Sequence, residues 1–307
     1  MIITLMIIVF ITGYIAIALE HPIKVDKAAS ALIIGGLGWA LFAFSGIDHH
    51  TLTHEIQHHI VDIAEILFFL LGAMTIVELI DAHDGFSIIT NKITTNKKVY
   101  LIWILSIITF FFSAVLDNLT TAIVMAALLP KIIKDKETLW LFAGVLILVA
   151  NAGGAWSPIG DVTTIMLWIG GQVSAKNIIG SVIFPSIVCA VVPLIYLSFK
   201  LKGEIKRPKD AVLKEHKKNP TSSVERSLIF YLGVCGLLFV PIFKTLTQLP
   251  PYIGMMLSLG ILWAITEIIH RSKNYEEKSQ LSVIGVLRKV DTPTIFFFLG
   301  ILLAVAA

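Results

Sequence analysis

The sequence predicts an all-α membrane protein: a polytopic helical bundle with inverted-topology repeats, a re-entrant helical hairpin and a discontinuous transmembrane helix. Three observations carry this. The 307 residues are 56% hydrophobic with a mean hydropathy of +0.87, beyond the roughly 45–50% apolar share of soluble domains. Two apolar segments, 99–130 and 139–170, are each interrupted by an acid, an amide and a Thr-Thr pair. A motif from the first quarter of the chain recurs near its end.

Runs able to cross a hydrocarbon core of about 30 Å, which takes about 20 residues, fall near 2–19, 28–46, 61–80, 177–199, 227–243 and 251–270. The run from Pro293 is still apolar at Ala307, so truncation at the C-terminus is expected. The first run carries Ala16-Ile17-Ala18 near its end but has no basic segment before it, so it reads as a first helix rather than a signal peptide. Cys189 and Cys235 lie inside apolar spans and read as packing residues, not a disulfide or metal pair. Phosphate-binding loops, zinc spacings and nucleophile elbows do not appear in their expected contexts, and no feature points to nucleic acid.

Lys and Arg accumulate in short cytoplasmic loops, and here they choose the topology. If 99–130 enters and leaves on one side while 139–170 crosses once, only Lys176 and Lys244 of the 24 basic residues fall outside. If 99–130 crosses instead, every later segment flips and the separation of charge is much poorer. The arm 119–130 is also only roughly 18 Å long as a helix, too short to cross. Segment 99–130 therefore reads as a hairpin open to the cytoplasm with Asp117-Asn118 at its buried tip, a backbone tolerated at depth only where protein or water satisfies it.

Val61-Asp62 through Phe68-Phe69-Leu70 recurs as Val290-Asp291 through Phe297-Phe298-Leu299, and Gly36 through Trp39-Ala40 recurs as Gly260 through Trp263-Ala264. In the topology above the copies run in opposite directions, the inverted repeat of many secondary transporters. The expected organisation is a first repeat over 1–199, a basic cytoplasmic linker over 200–226 and the start of a second, incomplete repeat over 227–307.

A carboxylate at bilayer depth costs roughly 2.5–3.5 kcal/mol even on the lenient insertion scale, so its presence asks for a function. Asp117 and Asn118 end one arm of the hairpin, and Thr120 and Thr121 open the other. A half-helix begun here offers free N–H groups, while the broken backbone offers carbonyls; the alternative is that Asp117 merely caps the second arm. From Asn151 through Gly153, Gly154, Ser157, Pro158 and Gly160 to Asp161, the chain has the glycines and proline that unwind a crossing helix. Asp161, Thr163 and Thr164 then start a second half-helix; a kink with a capping Asp is the alternative. Carboxylate, amide, hydroxyl and backbone oxygens suit a small hard cation or a proton competing with it, with Asp117, Asn118, Asn151 and Asp161 as the expected ligands. Glu65 and Glu78 are weaker candidates for a proton relay, with Glu78 equally readable as a solvated helix end beside Asp81. The loop Ile47–His59 carries His50, His54 and His58 at helical spacing, readable as a pH sensor, an incidental metal site or a solvated face.

The run Phe68 to Ile80 with His83, Gly85 and Phe86, the stretch Ser113 through Asp117-Asn118 to Thr121, and the stretch Asn151 through Ser157 and Asp161 to Thr164 resemble the NhaD-type sodium/proton antiporters. Their superfamily also holds arsenite pumps and dicarboxylate/sodium symporters. The resemblance implies two inverted repeats whose hairpins and broken helices move against a scaffold, in a homodimeric, multi-pass protein of the inner membrane. It implies a transporter rather than an enzyme, with no cofactor, exchanging internal Na+ or Li+ for external H+ by alternating access at Asp117, Asn118, Asn151, Asp161, Thr163 and Thr164. The family has further site residues beyond the point where this sequence stops. An anion carrier for arsenite or a dicarboxylate is the alternative, disfavoured by acids at both breaks. An intramembrane aspartyl enzyme or a channel subunit is more remote.

Overall fold

The computed structural model describes residues 1–46, 48–90, 93, 95–205 and 221–307. These form helices α1 (Ile2–Ala18), α2 (Glu20–Ile23), α3 (Lys27–Ala43), α4 (His49–Ala82), α5 (Ser87–Thr90), α6 (Lys98–Leu116), α7 (Asn118–Ile132), α8 (Lys136–Ala155), α9 (Val162–Ile169) and α10 (Ala175–Lys200). They continue as α11 (Ser223–Thr247), α12 (Pro251–Ile269), α13 (Tyr275–Leu281), α14 (Val283–Leu287) and α15 (Thr292–Ala306). Six among the described residues, α4, α6, α8, α10, α11 and α12, are long and apolar enough to cross a membrane. The chain is an all-α polytopic membrane protein. Helices α1 and α3, at 17 residues each, lie at the short end of spanning length.

The His-rich stretch is not a loop. Asp48 Oδ2 accepts from the backbone N–H of His50 at 3.1 Å and of Thr51 at 3.4 Å, an acid cap that starts α4 well before its apolar run. Residue 47 lies outside the described residues, as does the part of the basic linker from 206 to 220. The linker's far end is helical, because Ser222 and Glu225 form a capping box that starts α11.

The helices divide into two compact units. One comprises 1–71 with 290–307, where α3 packs between α1 and α15. Its helices touch through glycine: a Cβ on Gly35 would stand 2.7 Å from the carbonyl oxygen of Gly300, and Cβ atoms on Gly300 and Gly13 would meet the backbone of Ala31 and the side chain of Ile34. Small residues at such crossings let helix backbones approach in a membrane, where van der Waals packing replaces the hydrophobic effect.

The other unit comprises 72–289. Its core joins Leu101, Leu105 and Phe110 of α6, Met125 and Leu129 of α7, Phe142 and Leu146 of α8, and Ala190 and Leu194 of α10. Lys98 Nζ, at the start of α6, donates to Thr138 Oγ1 at 2.9 Å, at the start of α8. Helix α7, which ends just before α8, therefore returns to the level where α6 began, and the chain reverses at Asp117. At this same end Lys97 bridges Glu204, and Ile205 N donates to Asn96 O at 2.8 Å, so the end of α10 is there too.

Where α4 ends, His83 and His270 stack with ring centroids 5.0 Å apart and Nε2 to Nε2 at 3.1 Å, both rings buried. His83 Nδ1 lies 2.7 Å from Leu79 O, so this nitrogen carries the proton. His83 Nε2 is then the acceptor and His270 Nε2 the donor. Burial, the largest influence, holds the His83 imidazole below the usual histidine range. As pH falls through the unfolded value of about 6.5, the unfolded chain takes up the proton first, so stability present at higher pH is lost on acidification. The expected result is a melting temperature that falls between neutral and mildly acidic pH, with a smaller fall in His83→Gln. Equal falls in both proteins would show that His83 does not carry the effect.

Candidate functional site

Two helix breaks in the second unit meet at the site. At the first, α6 gives way to α7 through a single residue, Asp117, with φ 79° and ψ 159°. This backbone region is one that essentially only glycine adopts freely, and a side chain there costs on the order of 1–3 kcal/mol. What holds it is the cap: Asp117 Oδ1 accepts from Thr120 N at 2.8 Å and Oδ2 from Thr120 Oγ1 at 2.7 Å. At the second break α8 ends at Ala155, a turn over 156–161 follows, and Asp161 caps α9 by accepting from Thr163 N at 2.8 Å and Thr163 Oγ1 at 2.5 Å.

One side chain ties the breaks together. The Asn118 amide NH2 donates to Asn151 Oδ1 at 3.0 Å and to Asp161 Oδ2 at 2.5 Å, spending both protons across the gap. Asn118 Oδ1 takes Leu119 N at 2.9 Å, and Asn151 Nδ2 donates to Ile147 O at 2.9 Å. Beneath this layer two buried hydroxyls stitch backbone to backbone: Ser113 Oγ donates to Ala150 O, and Ser157 Oγ to Ala114 O, both at 2.5 Å. Thr164 Oγ1 donates to Ser157 O and to Asp161 O, each at 2.8 Å.

The glycines of the second break make this contact possible. A Cβ on Gly160 would stand 2.6 Å from Ser113 O, one on Gly153 would overlap the Phe110 backbone, and one on Gly154 would overlap Gly160 O. Phe110 and Trp156 stack at 6.1 Å beside them. The last turns of α6 and α8 thus bring carbonyl-rich, negative helix ends to a cluster of two carboxylates and two amides, whose opposite helices start at the same place. Each carboxylate keeps acceptor capacity beyond the donors it already has. Asn151 and Thr163 are exposed, so the cluster is open on that side, whereas Asp117, Asn118 and Asp161 are half-buried.

Of the residues picked out in the sequence, Asn118, Asn151, Asp161 and Thr163 are joined by direct hydrogen bonds, and Thr120, Ser157 and Thr164 hold the breaks in shape. Thr121 is fully buried and its hydroxyl has no hydrogen-bond partner among the described residues. Glu78 is half-buried near the end of α4 and, among the described residues, makes no hydrogen bond to the cluster. Glu65, His50, His54 and His58 belong to the other unit. Ser113 and Lys244 were not picked out as site residues. Lys244 Nζ donates to Trp168 O at 2.8 Å and lies 4.4 Å from the Trp168 ring centroid, placing a cation at the carbonyl end of α9, where the helix dipole favours it. Its isolation from the other basic residues was the signal that could have found it.

The sequence profile of CitMHS, the citrate transporter family, matches residues 5–307. The chain belongs to this family. Among its relatives, sodium/proton antiporter 1 of Arabidopsis thaliana is 42% identical over 98% of this chain and 52% of its own length. Sodium/proton antiporter 2 of the same plant is 40% identical over 98% of this chain and 71% of its own length. The Na+/H+ antiporter NhaD of Alkalimonas amylolytica is 31% identical over 83% of this chain and 52% of its own length. The resemblance to NhaD-type antiporters therefore holds over most of the CitMHS chain, and the family is one of transporters. The chain spans about half the length of the first and third of these relatives.

The backbone at Asp117 gives a stability test of the site. Asp117→Gly removes the φ penalty, loses only a few tenths of a kcal/mol as a cap and adds chain entropy to the unfolded state of up to about 1 kcal/mol. Its melting temperature is expected to equal or exceed that of the parent. A clear drop would mean that the Asp117 side chain stabilises the tip by more than its conformation costs.

Proposed function

We propose that the protein exchanges internal Na+ or Li+ for external H+ by alternating access. The carboxylates of Asp117 and Asp161 carry the coupling because each binds either a proton or, with Asn118 and Asn151, the cation. The observation that carries this reading is the Asn118 amide joining Asn151 and Asp161 across two helix breaks. It brings an amide oxygen and the Asp161 carboxylate to the residue next to Asp117, hard oxygen donors of the kind a small cation takes. The names of the antiporter relatives support the same reading.

In this proposal α6 and α7 form a hairpin entering from the cytoplasmic side, and α8 with α9 is one broken crossing helix. The charge distribution supports it, since the end of the unit that carries Lys97 and Lys98 also carries the start of α8 and the end of α10. The repeat over 61–70 and 290–299 supports an inverted second half, and the proposal includes a homodimer in the inner membrane.

The family's description favours one second reading, transport of citrate or a related anion. Two acids beside the amides would repel a polycarboxylate. Everted vesicles carrying the full-length gene product, energised to a pH gradient, separate the two. Collapse of the gradient on adding Na+ or Li+, but not K+ or citrate, is the expected result; citrate movement without a response to cations would overturn the antiporter reading.

A further inference from the structure

We propose that His58, His59 and Asp62 form a site for a divalent transition-metal ion of the zinc type near the start of α4. One ligand atom from each of the three lies within 4.8 Å of the others, and His58 Nδ1 is 3.7 Å from Asp62 Oδ2. The i,i+4 spacing stacks His58 and Asp62 one turn apart on one helix face, the arrangement by which a helix presents two ligands to one ion. His59 supplies the third. Its ring lies 6.0 Å from the Trp39 ring of α3 and 5.8 Å from that of His58, so it is held beside the pair.

The ligand chemistry selects the ion. Two imidazoles and one carboxylate match zinc, nickel or cobalt, whereas magnesium and calcium prefer all-oxygen shells. Three protein ligands leave a position for water. Bond lengths of about 2.0–2.2 Å require the side chains to close on the ion, and His58 and Asp62, 66% and 64% exposed, have room to rotate. The site is separate in chemistry from the Asp117 and Asp161 cluster, which has no nitrogen ligand of this kind.

His50 and His54 continue the same face upstream at four-residue steps, which offers a competing arrangement: a two-histidine chelate nearer the start of the helix. The test distinguishes them. Calorimetric titration of the detergent-purified protein with Zn2+ is expected to show saturable binding of one ion. Substituting a ligand disturbs a metal site at least as much as substituting its support, so His59→Ala and Asp62→Asn should each weaken binding by at least about tenfold, with His50→Ala leaving it unchanged. Ni2+ bound at the site should quench a fluorescence component missing from Trp39→Phe. Absence of saturable binding overturns the proposal. So does an affinity that follows His50 and His54 while ignoring His59 and Asp62, or Ni2+ quenching unaltered by Trp39→Phe.

Discussion

Asp161→Asn is expected to abolish cation-driven proton movement in vesicles while leaving the protein folded. The two consequences separate because of what Asp161 does structurally. As a cap it accepts from Thr163 N and Thr163 Oγ1, and Asn is an equally good cap. Both cap bonds fall on Oδ1, which the asparagine oxygen replaces, whereas the NH2 in place of Oδ2 cannot accept from the Asn118 amide, so that one link is lost. What disappears is the charge and the ability to exchange a proton for a cation. A loss of at least about 100-fold in apparent Na+ affinity, or roughly 3 kcal/mol, should therefore come with a fall in stability no greater than one lost hydrogen bond, about 1–3 kcal/mol. Asp117→Asn should behave alike, because its cap on Thr120 survives in the same way. Exchange retained by either variant with unaltered Na+ dependence would remove that residue from the site; a lost fold would instead show that its charge is structural.

The places where the helices break were legible because polar residues inside apolar runs have few other reasons to exist. Asp117 and the turn from 156 to 161 both fall where acid, amide and hydroxyls interrupt the hydropathy. The helical stretch before residue 61 was not legible. It is polar, and its start depends on one cap, Asp48, rather than on periodicity. The packing of the chain's last helix against α3 was also hidden, since it joins residues nearly the whole sequence apart through Gly35 and Gly300. Within the site the candidate residues could be named, but not their wiring. That Asn118 spends both amide protons on the other break depends on the distance between α7 and α8, which the packing of α6 on α8 decides. Ser113 was passed over for the same reason: a serine in an apolar helix looks like a small packing residue until a facing carbonyl, here Ala150 O, comes within reach.

Gly154→Val should have the second largest effect, and it bears on the fold before the chemistry. Glycine in a broken helix is read first as a loosener of backbone. Here φ is not positive at Gly153, Gly154 or Gly160, so conformational freedom is not what these positions need. They need the absence of a Cβ. The nearest atoms to a Cβ on Gly154 are the Gly160 carbonyl and Ser113 Oγ, and those near Gly160 belong to the backbone of Ser113 and Gly154. Backbone cannot turn aside as a flexible side chain can, so valine must push the tip of α6 away from the break in α8. That movement stretches both hydroxyl stitches, Ser113 to Ala150 and Ser157 to Ala114, and draws Asn118 off Asp161. Overpacking alone costs about 1–3 kcal/mol, and each buried hydroxyl or carbonyl left without a partner adds about 1–3 kcal/mol. The expected result is poor accumulation in the membrane and a strongly lowered melting temperature, with Gly154→Ala intermediate. Valine at Gly144, where a Cβ meets nothing within 4 Å, should change the melting temperature little. If Gly154→Val and Gly144→Val were equally stable, the contact between the two breaks would not be the close one that brings Asn118 to Asp161.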